Sequence, residues 1–179
     1  EQSGDIMAVG FDMYLRLLDE AVASRQGVER DQQEEIYLEL EYSGFIPDSY
    51  ITDPAEKMEV YKKISSVVDD DDLDRVYREI GDRFGPLPEE VLSLLSLAEI
   101  RILCRKLKVI SLRERAGLCT VEFGLMKDFP FDKAMRMIKL SSGKVRPAAN
   151  KPNALVLETK AVGLKDKSLF IREKLSALI

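Results

Sequence analysis

The 179-residue sequence contains no histidine and no tryptophan, and it has only two cysteines. Histidine is the side chain that most often acts as a general base or metal ligand near neutral pH. Its absence excludes Ser-His-Asp and Cys-His catalytic groups within this chain. Cys104 lies in a helix-like run and Cys119 in a strand-like run, and they do not form a C-x-x-C pair. We therefore expect two free, buried thiols, as is usual in a reducing cytoplasm.

Long apolar runs and targeting segments are also missing. The longest apolar run, residues 91–98, is broken by serines and is too short to cross a bilayer. No signal peptide pattern is visible. Neither G-x-x-x-x-G-K-[ST] nor G-x-G-x-x-G, the patterns of nucleotide-binding loops, occurs. We therefore predict a cytoplasmic domain with no membrane partner, no bound cofactor or metal, and no enzymatic activity of its own.

What the sequence does contain is a globular balance of apolar and charged residues. Apolar residues make up 45%, charged residues make up 33%, and the net charge is −5. The length suits one domain with a hydrophobic core. Domains that bind nucleic acid on their own usually present a basic face, so the overall charge argues against that function. A local basic run nevertheless keeps a nucleic-acid contact open as an alternative: Arg101, Arg105, Lys106, Lys108, Arg113 and Arg115.

The first half of the sequence is predicted to be mainly helical. Apolar residues at three- and four-residue spacing predict a helix over about 8–25, and the alternating stretch 34–42 predicts a half-buried strand with an acidic outer face. Asp53 before Pro54 predicts the N-terminus of a second helix. The buried stripe of that helix is predicted to be Met58, Tyr61, Ile64 and Val68.

Four consecutive aspartates, at 69–72, precede a further helix predicted over 72–85. They lack the alternating ligands, the loop glycine and the distal glutamate of a calcium-binding loop. Carboxylates stabilise the positive end of a helix dipole, so helix capping is the favoured interpretation. A metal site or a carboxylate enzyme is the alternative. Gly85 is expected to provide a left-handed C-cap. The apolar face is predicted to be Leu73, Val76, Tyr77, Ile80 and Phe84.

Three charged residues of this helix fall away from its apolar stripe. Glu79, Asp82 and Arg83 cluster because they are spaced i, i+3 and i+4. Residue type and spacing alone fit an ordinary solvated helix face, on which an ion pair contributes about 0 to 1 kcal/mol.

The second half of the sequence predicts one long helix and a small sheet. Residues 88–107 are apolar on most sides, as in a helix at the centre of a core. Residues 109–124 predict a β-hairpin that turns at Ala116-Gly117. The remaining predicted elements are a helix at 131–140, strands at 144–149 and 154–159, and a closing helix at 164–179. The predicted fold class is α+β, with a helical N-terminal half packed with a small, mostly antiparallel sheet in a single compact domain.

Several stretches, in order, resemble the C-terminal TRCF domain of the bacterial transcription-repair coupling factors. They are GFDMYLRLLDEAV, EEIYLELEY, FIPDSYI with EKMEVYKKI, and L-x-x-V-x-x-E-I-G-D-R-F-G-P-L-P-x-x-V. The resemblance covers residues 1 to about 125. Its specific feature is DRFGPLP following IPDSYI.

The opening residues fit the same resemblance. In this family and in RecG-like helicases, a loop ending in Gln-Ser-Gly belongs to a motif that couples ATP hydrolysis to movement on double-stranded DNA. Gln2, Ser3 and Gly4 match that ending. We expect residues 1–9 to be a remnant of the translocation motif and linker, with the motor upstream, and residues 10–179 to be the C-terminal regulatory domain.

The resemblance implies a regulatory function. The parent family removes stalled RNA polymerase from damaged DNA and recruits nucleotide excision repair. Its C-terminal domain is thought to fold back on the N-terminal UvrB-like module, cover the surface that binds UvrA, and restrain the motor. The implied partners are therefore that module directly, and UvrA, RNA polymerase and DNA through the parent protein.

The family's contact surface includes E-x-x-D-R, which corresponds here to Glu79, Asp82 and Arg83. The residue at 81 departs from the family pattern, because Gly81 stands where a larger apolar residue is common. Glycine in a helix interior is about 1 kcal/mol less favourable than alanine.

Overall fold

A computed structural model describes residues 36–179 of the chain. The predicted helix at 8–25 lies outside the described residues. So do the boundary at residue 9 and the motif residues Gln2, Ser3 and Gly4.

The described residues fall into two compact units. Unit 1 contains residues 43–99, and unit 2 contains residues 36–42 together with residues 100–179. The fold class within these units is α+β, as predicted, with five α-helices and a five-stranded sheet in residues 36–179.

Unit 1 is built from helices. They are α1 (Pro54–Ser65), α2 (Asp70–Phe84) and the first part of α3 (Glu89–Leu107). The Asp53 carboxylate accepts a hydrogen bond from the Ala55 N–H at 3.0 Å, and Pro54 occupies the first turn of α1. The predicted start of this helix is therefore confirmed.

The aspartate run caps α2, which confirms the favoured interpretation. The Asp69 carboxylate accepts a hydrogen bond from the Asp72 N–H at 2.8 Å. The helix begins at Asp70, so three of the four aspartates lie in its first turn, where they complement the helix dipole.

Two residues predicted to be buried in unit 1 are exposed. Val68 is 47% exposed and its neighbour Val67 is buried, because α1 ends at Ser65 and helical spacing does not continue to residue 68. Tyr77 is 49% exposed, because the buried face of α2 is centred on Val76 and Ile80.

Gly85 ends α2 in a conformation that differs from the predicted left-handed cap. Its φ is 89°, but its ψ is −169°, which lies outside the left-handed helical region and is accessible mainly to glycine. The Gly85 N–H donates to the Gly81 carbonyl at 2.9 Å, and the Tyr50 hydroxyl donates to the Gly85 carbonyl at 2.7 Å. The helix end is thus hydrogen-bonded despite the unusual ψ.

The chain before α1 approaches α3 very closely. A Cβ added to Gly44 would lie 2.4 Å from the Leu94 nitrogen and 2.8 Å from the Glu90 carbonyl oxygen. The Phe45 N–H donates to that same Glu90 carbonyl at 3.2 Å. Only glycine fits at residue 44 without movement of the backbone.

Unit 2 contains the sheet. Its strands are β1 (Tyr37–Glu39), β2 (Val109–Arg115), β3 (Leu118–Phe123), β4 (Val145–Pro147) and β5 (Ala154–Glu158). They lie in the order β1-β2-β3-β5-β4. The β1–β2 pair is parallel and the other three pairs are antiparallel, as the prediction of a mostly antiparallel sheet requires. β1 is shorter than the predicted stretch 34–42, with only three residues in register with β2.

Helices cover the buried face of the sheet. They are the second part of α3, together with α4 (Phe131–Leu140) and α5 (Leu164–Ser176). The alternating residues Ile36, Leu38, Leu40 and Tyr42 pack against this core, as predicted. Cys104 and Cys119 lie within it as free thiols, as predicted. Burial raises the pKa of the Cys104 thiol to about 12, so this thiol is protonated and unreactive.

The β2–β3 hairpin turns at the predicted residues. Ala116 and Gly117 both have positive φ, at 52° and 75°, which is the requirement of a type I′ turn. The Glu41 carboxylate accepts a hydrogen bond from the Ala116 N–H at 2.6 Å. The segment that follows β1 therefore also fixes the hairpin turn.

Candidate protein-interaction site

The three residues that the sequence singles out lie on two sides of α2 in unit 1. The buried face of the helix is formed by Val76 and Ile80. Glu79 and Arg83 lie on the side that meets α1, where their partners are carboxylates and a lysine. Asp82 lies on the exposed side. The helix therefore brings two of the predicted residues into contact with each other and leaves the third facing solvent.

Lys63 connects Glu79 to α1. Its Nζ forms an ion pair with Glu79 Oε1 and lies 3.2 Å from Glu59 Oε1. The hydrogen bond between Lys63 and Glu79 lowers the pKa of the Glu79 carboxyl and raises the pKa of the Lys63 ammonium. Both shifts favour the charged forms, so this pair is fully ionised at neutral pH.

Arg83 is held by several weaker contacts. Its terminal nitrogens lie 3.6 Å from Glu59 Oε1, 3.7 Å from Glu56 Oε1 and 3.7 Å from Glu79 Oε1. Its guanidinium carbon lies 4.8 Å from the centre of the Phe84 ring, within the range of a cation–π contact. The side chain remains 35% exposed, so Arg83 is oriented without being removed from solvent.

Asp82 is the solvent-exposed member of the three predicted residues. No ion pair or hydrogen bond to its carboxylate is found among residues 36–179. It lines an open depression along the exposed side of α2, and the other lining residues are Asp71, Asp74, Arg75, Arg78, Glu79 and Arg83. An exposed carboxylate beside two charged side chains that α1 already orients is suited to a contact with another protein surface.

We define the interface cluster as these three residues and their partners on α1: Glu56, Glu59, Lys63, Glu79, Asp82 and Arg83. It contains four carboxylates and two cations, which gives it a net charge of −2. A surface of this kind attracts a basic partner surface, and added salt weakens that attraction.

The α1 members of the cluster were not predicted from the sequence. The spacing of Glu59 and Lys63 is a recognisable i, i+4 pair within one helix. Their meeting with Glu79 depends on how α1 packs against α2, and this is a tertiary contact without a sequence signal.

The basic run lies in unit 2 and does not form one free basic surface in the described structure. Three of its cations have carboxylate partners: Lys108 with Asp128 at 3.7 Å, Arg113 with Glu39 at 3.3 Å, and Arg115 with Glu39 at 3.4 Å. Arg101 is partly buried, and burial, assisted by the nearby charge of Arg105, lowers the pKa of its guanidinium to about 10. The alternative of a nucleic-acid contact remains a hypothesis that this arrangement does not favour.

Unit 2 also contains a buried polar network that was not predicted. Glu114 is 1% exposed, and its Oε1 accepts hydrogen bonds from the Thr159 hydroxyl at 2.5 Å and from the Lys167 ammonium at 2.9 Å. Its Oε2 accepts one from the Glu41 N–H at 2.8 Å. Burial, the largest single influence, raises the pKa of the Glu114 carboxyl, but these hydrogen bonds together lower it below its usual value. Because both carboxylate oxygens are engaged, we assign the network a structural role.

Within residues 36–179, no three His, Cys, Asp or Glu side chains are grouped in a way that could hold a metal ion. No helix in the same part of the chain combines the length and hydropathy needed to cross a membrane.

Comparison with known proteins identifies the class of this domain. A family model described as the TRCF domain matches residues 40–134, just over half of the chain. A solved structure, described as the crystal structure of the C-terminal domain of transcription-repair coupling factor, has a similar fold with a TM-score of 0.68. That match covers 83% of this chain and 97% of the solved chain at 23% sequence identity, so it supports the fold alone.

Curated relatives named transcription-repair-coupling factor are similar over most of the sequence. The relative from Borreliella burgdorferi is 31% identical over 179 residues, the one from Rickettsia bellii is 32% identical over 167, and the one from Haemophilus influenzae is 33% identical over 144. These alignments cover 98%, 91% and 78% of this chain, respectively. The chain belongs to the TRCF domain family, which confirms the resemblance. It spans only 13% to 15% of the length of these three relatives.

Proposed function

We propose that this chain is the regulatory, autoinhibitory domain of a DNA translocase of the transcription-repair coupling type. In this proposal the parent protein acts in the cytoplasm, displaces stalled RNA polymerase and recruits nucleotide excision repair. The domain docks on the N-terminal UvrB-like module, masks the surface that binds UvrA, and restrains the motor. Residues 10–179 form the regulatory domain, and residues 1–9, including Gln2, Ser3 and Gly4, are the end of the translocation motif.

The observation that carries the proposal is the arrangement of Glu79, Asp82 and Arg83. They match the contact motif implied by family resemblance, and they lie on a charged surface of α2 that is open in the described structure. Two of them are oriented by α1 and the third is exposed. A surface that is both oriented and accessible is suited to specific docking.

The chemistry of the cluster also suits a contact that must be released. Exposed charges contribute specificity and association rate more than they contribute affinity. Their attraction falls over a Debye length of about 8 Å at physiological salt. A clamp built on such a surface holds at short range and can open when a competing partner engages the protein.

The test uses the full-length protein that contains this chain. The triple variant Glu79→Ala, Asp82→Ala, Arg83→Ala is expected to bind UvrA more tightly and to hydrolyse ATP faster than the wild type, because the clamp is released. Loss of exposed ion pairs contributes about 0 to 1 kcal/mol each, so the domain is expected to remain folded.

The same helix provides a matched control. Asp71, Asp74 and Arg75 have the same residue classes at the same i, i+3, i+4 spacing, two turns earlier, and they line the N-terminal end of the same depression, outside the interface cluster. Their triple alanine variant is expected to leave UvrA affinity and ATPase rate at wild-type levels. Unchanged UvrA affinity in the first triple variant would contradict the proposal, and equal release by both would contradict the assignment of the surface.

A further inference from the structure

We infer that Lys63 and Glu59 of α1 are positioning residues that hold Glu79 and Arg83 in the geometry required for docking. The inference rests on the proposed function and extends it to a second helix. Its basis is the pattern of contacts inside the interface cluster, which orients the α2 residues and leaves part of each one available.

The hydrogen bond to Glu79 uses one of its two carboxylate oxygens, Oε1. Lys63 Nζ and Arg83 both approach Oε1, and Lys63 Nζ also lies 3.2 Å from Glu59 Oε1. No hydrogen bond to Glu79 Oε2 is found among residues 36–179. An acceptor with one oxygen fixed and the other open can receive a donor from a partner without first breaking its existing pair.

Arg83 shows the same combination of restraint and availability. Its contacts with Glu56, Glu59 and Glu79 are all between 3.6 and 3.7 Å, longer than a direct hydrogen bond. Phe84 limits the rotation of the guanidinium from one side. Arginine has five donor hydrogens, so these loose contacts orient the side chain and leave donors for a partner.

Side chains that are already ordered in their bound positions bind a partner more tightly, because they lose less conformational freedom on docking. Immobilising a long side chain reduces affinity by about 2- to 10-fold. If Lys63 and Glu59 perform this ordering in advance, removal of Lys63 weakens docking even though Lys63 itself does not touch the partner. If α1 instead sequesters Glu79 and Arg83, removal of Lys63 strengthens docking. The two accounts therefore predict effects of opposite sign.

The experiment measures UvrA affinity and thermal stability of the full-length protein. Lys63→Met is expected to weaken docking and so to raise UvrA affinity, by about 2- to 10-fold. Lys62→Met is the matched control, because Lys62 is the adjacent lysine on α1, is exposed, and has no ion-pair partner among the described residues. Lys63→Arg keeps the positive charge and is expected to restore the wild-type affinity. A Tm that stays near the wild-type value separates positioning from general destabilisation.

A double-mutant cycle localises the effect. In a Glu79→Gln background, Lys63→Met is expected to change UvrA affinity much less than it does in the wild type, because its partner is already neutral. Equal effects of Lys63→Met in both backgrounds, or an effect equal to that of Lys62→Met, overturn the inference.

The outcomes separate this inference from the proposed function. If Asp82→Ala and Arg83→Ala raise UvrA affinity while Lys63→Met does not, the positioning role is refuted and the docking surface stands. Lower UvrA affinity in Lys63→Met means that α1 sequesters the α2 residues, and it also refutes the inference. If no variant changes UvrA affinity, both the inference and the proposed function are refuted.

Discussion

Replacement of Lys167 by methionine is expected to destabilise unit 2 strongly. Lys167 lies 2.9 Å from Glu114, whose side chain is fully buried, so the substitution leaves a buried carboxylate without its counter-charge. Breaking a buried pair in this way is worth about 3 to 5 kcal/mol. Thr159 and the Glu41 N–H continue to donate to Glu114, so we expect a loss of about 3 kcal/mol at pH 7. This corresponds to a decrease in Tm of about 6 to 12 °C.

The pH dependence of this loss follows from the protonation of Glu114. In the wild type the folded-state pKa of Glu114 is lowered, so its stabilising contribution is present above the usual value of 4.5 and is lost as the pH falls through the folded-state pKa. In Lys167→Met, the hydrogen bond and the positive charge of Lys167 no longer lower that pKa, so it is expected to rise above its value in the wild type. The difference in unfolding free energy between the two proteins is therefore expected to be largest near pH 7 and to shrink towards pH 4.

The assay is urea denaturation followed by circular dichroism at pH 7 and pH 4, with hydrogen exchange of the β2 and β3 amides as a local readout. Lys139→Met is the control, because Lys139 is an exposed lysine of α4 with no ion pair among the described residues. The double variant Glu114→Gln, Lys167→Met is expected to recover most of the loss, since no buried charge remains. A loss below about 1 kcal/mol at pH 7, or an equal loss at both pH values, would show that Lys167 does not stabilise a buried charge on Glu114.

Three further predictions concern unit 1 and are measured by urea denaturation. Gly44→Ala is expected to lose about 1 to 3 kcal/mol or more, because the new Cβ meets the backbone of Leu94 and Glu90; a loss below about 0.5 kcal/mol would show that the backbone can move to accept the Cβ. Gly81→Ala is expected to gain about 0.5 to 1 kcal/mol, because its Cβ would make ordinary contact with Leu87 at 3.4 Å; a loss would show that the site requires glycine. Asp69→Ala is expected to lose about 1 kcal/mol and Asp69→Asn much less, and equal losses would argue against capping by the side-chain oxygen.

The local signals in the sequence predict the helix starts and the hairpin turn well. Asp53-Pro54, the aspartate run and Ala116-Gly117 each act through hydrogen bonds or φ values within a few residues. Such features do not depend on the rest of the fold, which is why the pattern of residues is sufficient to predict them.

Contacts between distant parts of the chain were harder to predict. The burial of Glu114 depends on two distant residues: Lys167, which lies in α5, and Thr159, which directly follows β5. The parallel pairing of β1 with β2 joins residues more than seventy positions apart. An alternating pattern indicates a strand but does not identify its neighbour.

In the candidate site, too, the features of a single helix were predicted and the contacts between two helices were not. Helical spacing correctly separated Glu79, Asp82 and Arg83 from the buried stripe, because that separation is a property of one helix. It placed Tyr77 on the buried side, and it could not predict that Lys63 pairs with Glu79, because both depend on how α1 packs against α2.

We propose that the interface cluster docks on the UvrB-like module and hides its UvrA-binding surface. Asp82→Lys tests it most directly, because Asp82 is exposed and lies outside the α1 contacts, so a charge reversal alters docking without disturbing the fold. In the full-length protein, this variant is expected to bind UvrA more tightly than the wild type, and the difference is expected to shrink as salt weakens the wild-type clamp. UvrA affinity equal to that of the wild type at low salt would contradict docking through this surface.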